Sequence, residues 1–196
     1  MASHRTCFKT YQFALVICRN PVDGRYLAVH EINDRGWWIP GGAVDNNESF
    51  QVAALRECWE EAQVRIQLKG VLRVEHRVEG EDARMRVIFY AEPIDDKQVP
   101  KSVPDKESLE ARWVTVPEFQ ALWKIRGEEL IEWGNYLDLG GQIFPMGALG
   151  SESDSVKAPE ENKAFSIAKN GEEEKKEECY EVALALFLIN DPISAC

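Results

Sequence analysis

The sequence predicts an α/β domain, and three observations carry that reading. β-rich runs alternate with helix-forming runs as far as Tyr136. Apolar residues make up 44% of the chain, with six Trp and eight Phe, which is enough material for a packed core and excludes wholesale disorder. The 196 residues also suit one domain and a tail, since a domain commonly takes roughly 100 to 200 residues.

Taken in order, Gln12 to Cys18 is β-rich, the run Arg19 to Gly24 is turn-forming, and Arg25 to Glu31 reads as a second strand, so a hairpin is expected. After Gly36 to Gly42 come the polar residues Asp45, Asn46 and Asn47, and then a helix over residues 48 to 62. Phe50, Ala54 and Cys58 recur at i, i+4 and i+8 and give that helix one apolar stripe. Val71 to Val78 and Met85 to Glu92 read as two strands joined by the polar turn Glu79 to Asp82. A proline-bearing loop leads to a short strand at 112 to 116, and Pro117 opens a helix expected to run to about Tyr136.

Composition divides the chain into a domain at 1–149 and an acidic, partly helical tail at 150–196. Residues 151–196 hold 11 acidic and 5 basic side chains, so over half of the net charge of −11 sits there. Glu172 and Lys176 allow an i,i+4 helical pair, and the apolar run Val182 to Ile189 either packs back on the domain or meets a partner or a membrane surface. No apolar run reaches the roughly 18 to 20 residues that span a bilayer. The start of the chain has neither the apolar core of a secretory signal nor the Arg and Ser enrichment of a transit peptide.

A charge of −11 repels a phosphate backbone and argues against bulk nucleic-acid binding. A phosphorylated substrate therefore needs local positive charge, from arginines or bound cations. The five cysteines are scattered and form no CxxC pair, which suits a reducing compartment, cytoplasmic or nuclear. His4, His30 and His76 are isolated from each other and do not form ligand spacing. Neither a GxSxG elbow nor a P-loop is present, which weakens the serine hydrolase and P-loop readings.

The informative window is Gly42 to Val64. Glu57, Glu60 and Glu61 stand at i, i+3 and i+4, so three carboxylates project from one helical face. Alone, such a run reads as a solvated face or as a cage for a hard cation, for which oxygen ligands suit Mg²⁺ or Mn²⁺. Five residues separate Gly42 from Glu48, and seven separate Glu48 from Arg56. Arg56, Glu57, Glu60 and Glu61 complete the pattern, which resembles the Nudix box of hydrolases acting on nucleoside diphosphates linked to another group.

The resemblance implies an α/β/α sandwich with a mixed β-sheet, and Mg²⁺- or Mn²⁺-dependent hydrolysis of a pyrophosphate bond without a covalent enzyme intermediate. It implies that Gly42 lets the backbone turn close to metal and phosphate, that Glu48 and Arg56 form a structural ion pair, and that Glu57, Glu60 and Glu61 hold the metal. One of the three, with Glu57 the first candidate, would also take the proton from the attacking water. Two positions depart from the family pattern: Gln63 stands where a glycine is usual, implying backbone strain or another exit from the helix, and Cys58 replaces a branched aliphatic residue. A fourth carboxylate is expected from a loop outside the box, with Glu107 the candidate and Glu110 its competitor.

Trp37 and Trp38 read as core residues, with Trp38 also a candidate to stack on substrate. Strand alternation puts Arg84 and Arg86 on one face, either exposed or turned inward as phosphate contacts. The run Arg84 to Pro93, with the later Asp105 to Trp113, is similar to family members that clear oxidised purine nucleoside diphosphates. ADP-ribose, dinucleotide polyphosphates and diphosphoinositol phosphates stand as alternative substrates. A low-turnover ligand-binding module is the reading from another class, with Gln63 as its support, and a partner-recruiting tail or a homodimer is a further one.

Overall fold

The computed structural model describes residues 9–155. The tail reading beyond Ser155, including Glu172, Lys176 and the run at 182–189, lies outside the described residues. So do His4 and the start of the chain.

Strands β1 (Lys9–Cys18), β4 (Gly41–Ala43), β5 (Ile66–Glu79) and β6 (Asp82–Pro93) form one sheet in the order β4-β1-β6-β5. It is mixed, because β1 runs parallel to β6 while the other pairs are antiparallel. Strands β2 (Tyr26–Glu31), β3 (Gly36–Trp38) and β7 (Ser108–Val114) form a second, antiparallel sheet ordered β3-β2-β7.

Residues Ala14 to Cys18 of β1 are all buried, and their alternation feeds two cores. Ala14, Val16 and Cys18 join the core under helix α1 (Phe50–Ala62), while Leu15 and Ile17 join the one under α2 (Val116–Gln120) and α3 (Glu129–Asp138). Helices therefore cover opposite faces, as expected of an α/β/α sandwich.

The apolar stripe of α1 packs inward as predicted: Ala54 and Cys58 are fully buried and Phe50 partly so. Ala53 and Ala62 widen it, so the face that meets the sheet is made of small side chains. Cys58 fits this close approach in place of a branched residue.

Three expectations need correction. Residues 12 to 31 do not form a hairpin: β1 and β2 enter different sheets, joined across the turn by the single bridge Arg19 to Tyr26. A strand buried on both faces belongs inside a sheet, where β6 and β4 flank it, and an apolar run does not specify which strand is its neighbour.

The helix expected from Pro117 to Tyr136 is two helices. A capping box at Thr115 and Glu118 starts α2, but the chain leaves the helix after Gln120 because the edge of β3 needs partners. Trp37 N–H donates to Lys124 O at 2.9 Å, and Arg126 N–H donates to Trp37 O at 2.8 Å. The short strands β3 and β4 were not anticipated, since each has only three residues and three of the six are glycines, which carry little strand signal. The hairpin of β5 and β6 does close at the predicted polar turn, with Gly80 at φ 64°.

Candidate active site

Helix α1 begins where Ser49 caps it, its Oγ accepting from Val52 N–H at 3.2 Å. Glu48 therefore lies just outside the helix, free to fold back. Its carboxylate takes a forked pair of hydrogen bonds from Arg56, 2.7 Å from Nε and 2.9 Å from Nη2. Arg56 also donates to Ala43 O at 2.9 Å, to Glu57 at 2.8 Å and to Glu60 at 3.0 Å. One guanidinium thus ties the strand β4, the loop after it and the acidic helix face together. These bonds hold the Glu48 carboxyl below its ordinary range and raise Arg56.

Glu57, Glu60 and Glu61 sit in unlike surroundings. Glu60 is the most exposed, at 39% of its side chain. Glu57 is largely buried, and that burial raises its pKa against the opposing hydrogen bond from Arg56. Glu61 is buried beneath β4, where it accepts from Gly41 N–H at 2.9 Å, and burial pushes its carboxyl up to about 8.

Gly42 lies directly against this face. A Cβ there would collide with the Glu57 carboxylate, so glycine is required by close approach rather than by a left-handed backbone.

The helix ends in an αL residue, Gln63, at φ 56° and ψ 28°. The backbone exit is thus the one glycine usually makes, with the strain that a side chain adds there. Each of the last four carbonyls of α1 has a partner. Trp59 O accepts from Gln63 N–H at 2.9 Å and Ala62 O from Lys101 N–H at 2.9 Å. Glu60 O accepts from Lys101 Nζ at 3.1 Å, and Glu61 O from Ser108 Oγ at 2.5 Å.

Lys101 is buried and also pairs with Asp105, whose Oδ1 accepts from Glu107 N–H at 2.8 Å and Ser108 N–H at 3.2 Å. The segment carrying Glu107 is thereby clamped to the C-terminal end of the acidic helix. A cation there also suits the negative end of the helix dipole. Glu107 lies near enough to Glu57 to raise its pKa, while Glu110 is occupied by Arg112 at 2.8 and 2.9 Å.

A cavity of about 230 Å³ opens beside Glu57, Glu61, Gly41 and Gly42. Trp38, Arg35, Arg84, Arg126 and Glu31 also line it. Trp38 is buried and donates from Nε1 to Glu129 at 2.7 Å, while Arg126 lies over its ring at 4.2 Å. Trp37 is a core residue, as expected, stacked on His30 at 4.8 Å. Arg84 rests on the Phe13 ring, and burial, followed by Arg86 and Arg126, lowers its pKa.

Arg86 does not line this cavity. It pairs with Glu75 at 2.5 Å and with Glu129 at 3.0 Å, and Glu129 in turn anchors Trp38.

The NUDIX domain model matches residues 10–134. The chain belongs to the Nudix family. It is 25% identical over 138 residues to phosphatase NudJ of Escherichia coli strain K12, covering 69% of this chain and 88% of that one. Among solved structures, a NUDIX hydrolase from Nitrosomonas europaea shares the fold at a TM-score of 0.57 and 22% identity, covering 75% of this chain and all of that one. A UDP-X diphosphatase shares it at a TM-score of 0.52 and 17% identity, over 72% of this chain and 68% of that one. As a Nudix family member the chain is a hydrolase.

For this Nudix chain, the box residues Gly42, Glu48, Arg56, Glu57, Glu60 and Glu61 come together around one helix and one strand. Glu107, Arg84 and Trp38 lie about the same region, and Arg86 is set apart. Among the described residues, no three His, Cys, Asp or Glu side chains stand at metal-holding spacing. Arg56 draws in Glu57 and Glu60, while Glu61 turns to Gly41 N–H.

The donor set itself fits a hard cation: it is all carboxylate, and Glu57 and Glu61 carry raised pKa values that a bound cation would reverse. Sequence reasoning missed Glu31, Arg126, Lys101 and Ser108. A signal existed for Glu31, which continues the inward alternation of Leu27 and Val29 and places an acid where an apolar residue would otherwise fall.

Proposed function

We propose that this chain hydrolyses a pyrophosphate bond in a nucleoside diphosphate-linked substrate, with Mg²⁺ or Mn²⁺ held by Glu57, Glu60, Glu61 and Glu107. The observation that carries this reading is the cavity itself, which the carboxylates of Glu57 and Glu61 line together with Arg35, Arg84 and Arg126. Arginines alone would collect a phosphate, and buried acids alone would repel it. The combination suits a diphosphate taken up together with cations.

When bound, the metal would neutralise the diphosphate and supply a hydroxide at neutral pH. The residues of the chain do the rest. Arg56 and Glu48 hold the acidic helix against β4. Gly42 leaves room for Glu57, which accepts the proton from the attacking water. Arg84 supplies positive charge toward the phosphates, and Trp38, fixed by Glu129 and through it by Arg86, supports the organic end of the substrate. The relative NudJ is a phosphatase by name, which agrees with phosphate chemistry.

The test is a screen for Mg²⁺-dependent phosphate release over oxidised and unmodified purine nucleoside diphosphates, ADP-ribose, dinucleotide polyphosphates and diphosphoinositol phosphates. It is run beside Glu57→Gln, Glu60→Gln and Glu61→Gln. At least one substrate should turn over, with losses of about 10² to 10⁴ in kcat for Glu57→Gln. Turnover equal in all four proteins would remove the catalytic reading.

A further inference from the structure

Glu31 ends β2 and is one of the residues lining the same cavity, and it is only 5% exposed. One carboxylate oxygen is held by Arg126. The other, Oε2, is buried and has no hydrogen-bond partner among the described residues. A buried carboxylate oxygen without a donor is costly enough that its persistence calls for a ligand group.

The surroundings are rigid. Arg126 pairs with Glu31 through Nη1 and lies over the Trp38 ring at 4.2 Å, and Trp38 is itself anchored to Glu129. An acceptor and a guanidinium are thus fixed side by side on one wall.

Charge decides which part of a substrate can meet them. Phosphate is repelled by Glu31 Oε2, so that wall is not the phosphate side. The oxygen needs an N–H or O–H donor, and the adjoining guanidinium needs an acceptor. A lactam, an N–H beside a C=O in a planar ring, supplies both at neighbouring atoms. Its N–H is more acidic than an amino group, and its oxygen is a stronger acceptor for a guanidinium than a ring nitrogen is.

We propose that Glu31 and Arg126 form a specificity pair that reads the lactam edge of a nucleobase, Glu31 accepting the ring N–H and Arg126 donating to the carbonyl. This deepens the hydrolase reading and rests on it for the phosphates that bring the base into the cavity.

Binding without turnover tests it. The full chain is titrated by calorimetry with guanosine monophosphate, its N1-methyl derivative, its 2′-deoxy derivative and ribose 5-phosphate. The wild type should bind guanosine monophosphate about tenfold more tightly than the N1-methyl compound. Glu31→Ala should bring that ratio within about twofold, and Glu31→Gln, which keeps an acceptor without the charge and preserves side-chain shape, should fall between.

Equal binding of the two guanosine compounds by the wild type overturns the proposal. So does a ratio that survives in both variants, or a preference that follows the 2′-hydroxyl instead. A loss of Mn²⁺ affinity in Glu31→Gln with the ratio unchanged would assign Glu31 to the cation and also overturn it. A preserved N1-methyl ratio with no hydrolysis of any diphosphate would sink the hydrolase reading while leaving this pair standing.

Discussion

Glu61 owes its raised carboxyl first to burial, and the single hydrogen bond from Gly41 N–H does not compensate. In the metal-free protein this group keeps a proton in the folded state between its ordinary 4.5 and about 8. The unfolded chain does not. Its contribution to stability is therefore present below the unfolded value and is lost as pH rises through about 8. Urea midpoints of the metal-free protein should fall across that window and fall less in Glu61→Gln; equal slopes would count against the buried carboxyl. At neutral pH, Mn²⁺ binding should release protons, visible as a dependence of calorimetric heat on the ionisation enthalpy of the buffer. At Gln63, with φ at 56°, replacement by glycine should raise stability by about 1 kcal/mol, because only the left-handed strain is removed. Denaturant titration checks it, and an unchanged midpoint would show the strain to be absent. Gly42→Ala is expected to do the opposite and to impair turnover, since its methyl group displaces the Glu57 carboxylate.

At the scale of elements, helix α1 is held at both ends by partners distant in sequence. Its N-terminal side is bound through Arg56 to Glu48 and Ala43, and its last carbonyls through Lys101 and Ser108. Lys101→Met keeps the aliphatic stem and removes the ammonium, leaving Glu60 O without its donor and Asp105 without its partner. The expected cost is about 1 to 3 kcal/mol of stability. Because Asp105 also organises the backbone of Glu107, Mn²⁺ affinity should fall in the same variant. A stability loss with unchanged Mn²⁺ affinity would confine the clamp to a structural task and remove Glu107 from the proposed ligand set.

Over the whole molecule, residues 9–150 lie in one compact unit whose C-terminal edge still belongs to the core. Leu149 packs against the core under α1, and its carbonyl accepts from Gln51 Nε2 at 3.0 Å. A chain cut before Leu149 should lose stability, whereas one ending at Ser155 should keep its fold and its hydrolysis of small diphosphates. Loss of turnover in the longer of these would place part of the active machinery in residues 156–196. Among the described residues no helix is long and apolar enough to cross a membrane. The two-sheet arrangement also brings positive charge into the cavity of a chain with a net charge of −11, since Arg84 from β6 lines it, as the proposed phosphate chemistry requires.

Residue spacing within one element was enough to read the acidic helix. Glu57, Glu60 and Glu61 share a face because of helical periodicity, the apolar stripe turns inward for the same reason, and the pairing of Glu48 with Arg56 spans only eight residues. The mixed α/β class followed from alternating periodicities, and the hairpin of β5 and β6 from its turn. What spacing could not reveal depends on contacts between distant segments. The separation of β1 from β2 was hidden because an apolar strand does not name its neighbours. The break in the 117–136 run arises from the hydrogen-bonding needs of β3, some 85 residues upstream. Glu31, Arg126 and Lys101 acquire their roles only when β2, the segment before α3 and the loop before β7 converge on α1, because burial and charge pairing are properties of that convergence and not of any one stretch of chain.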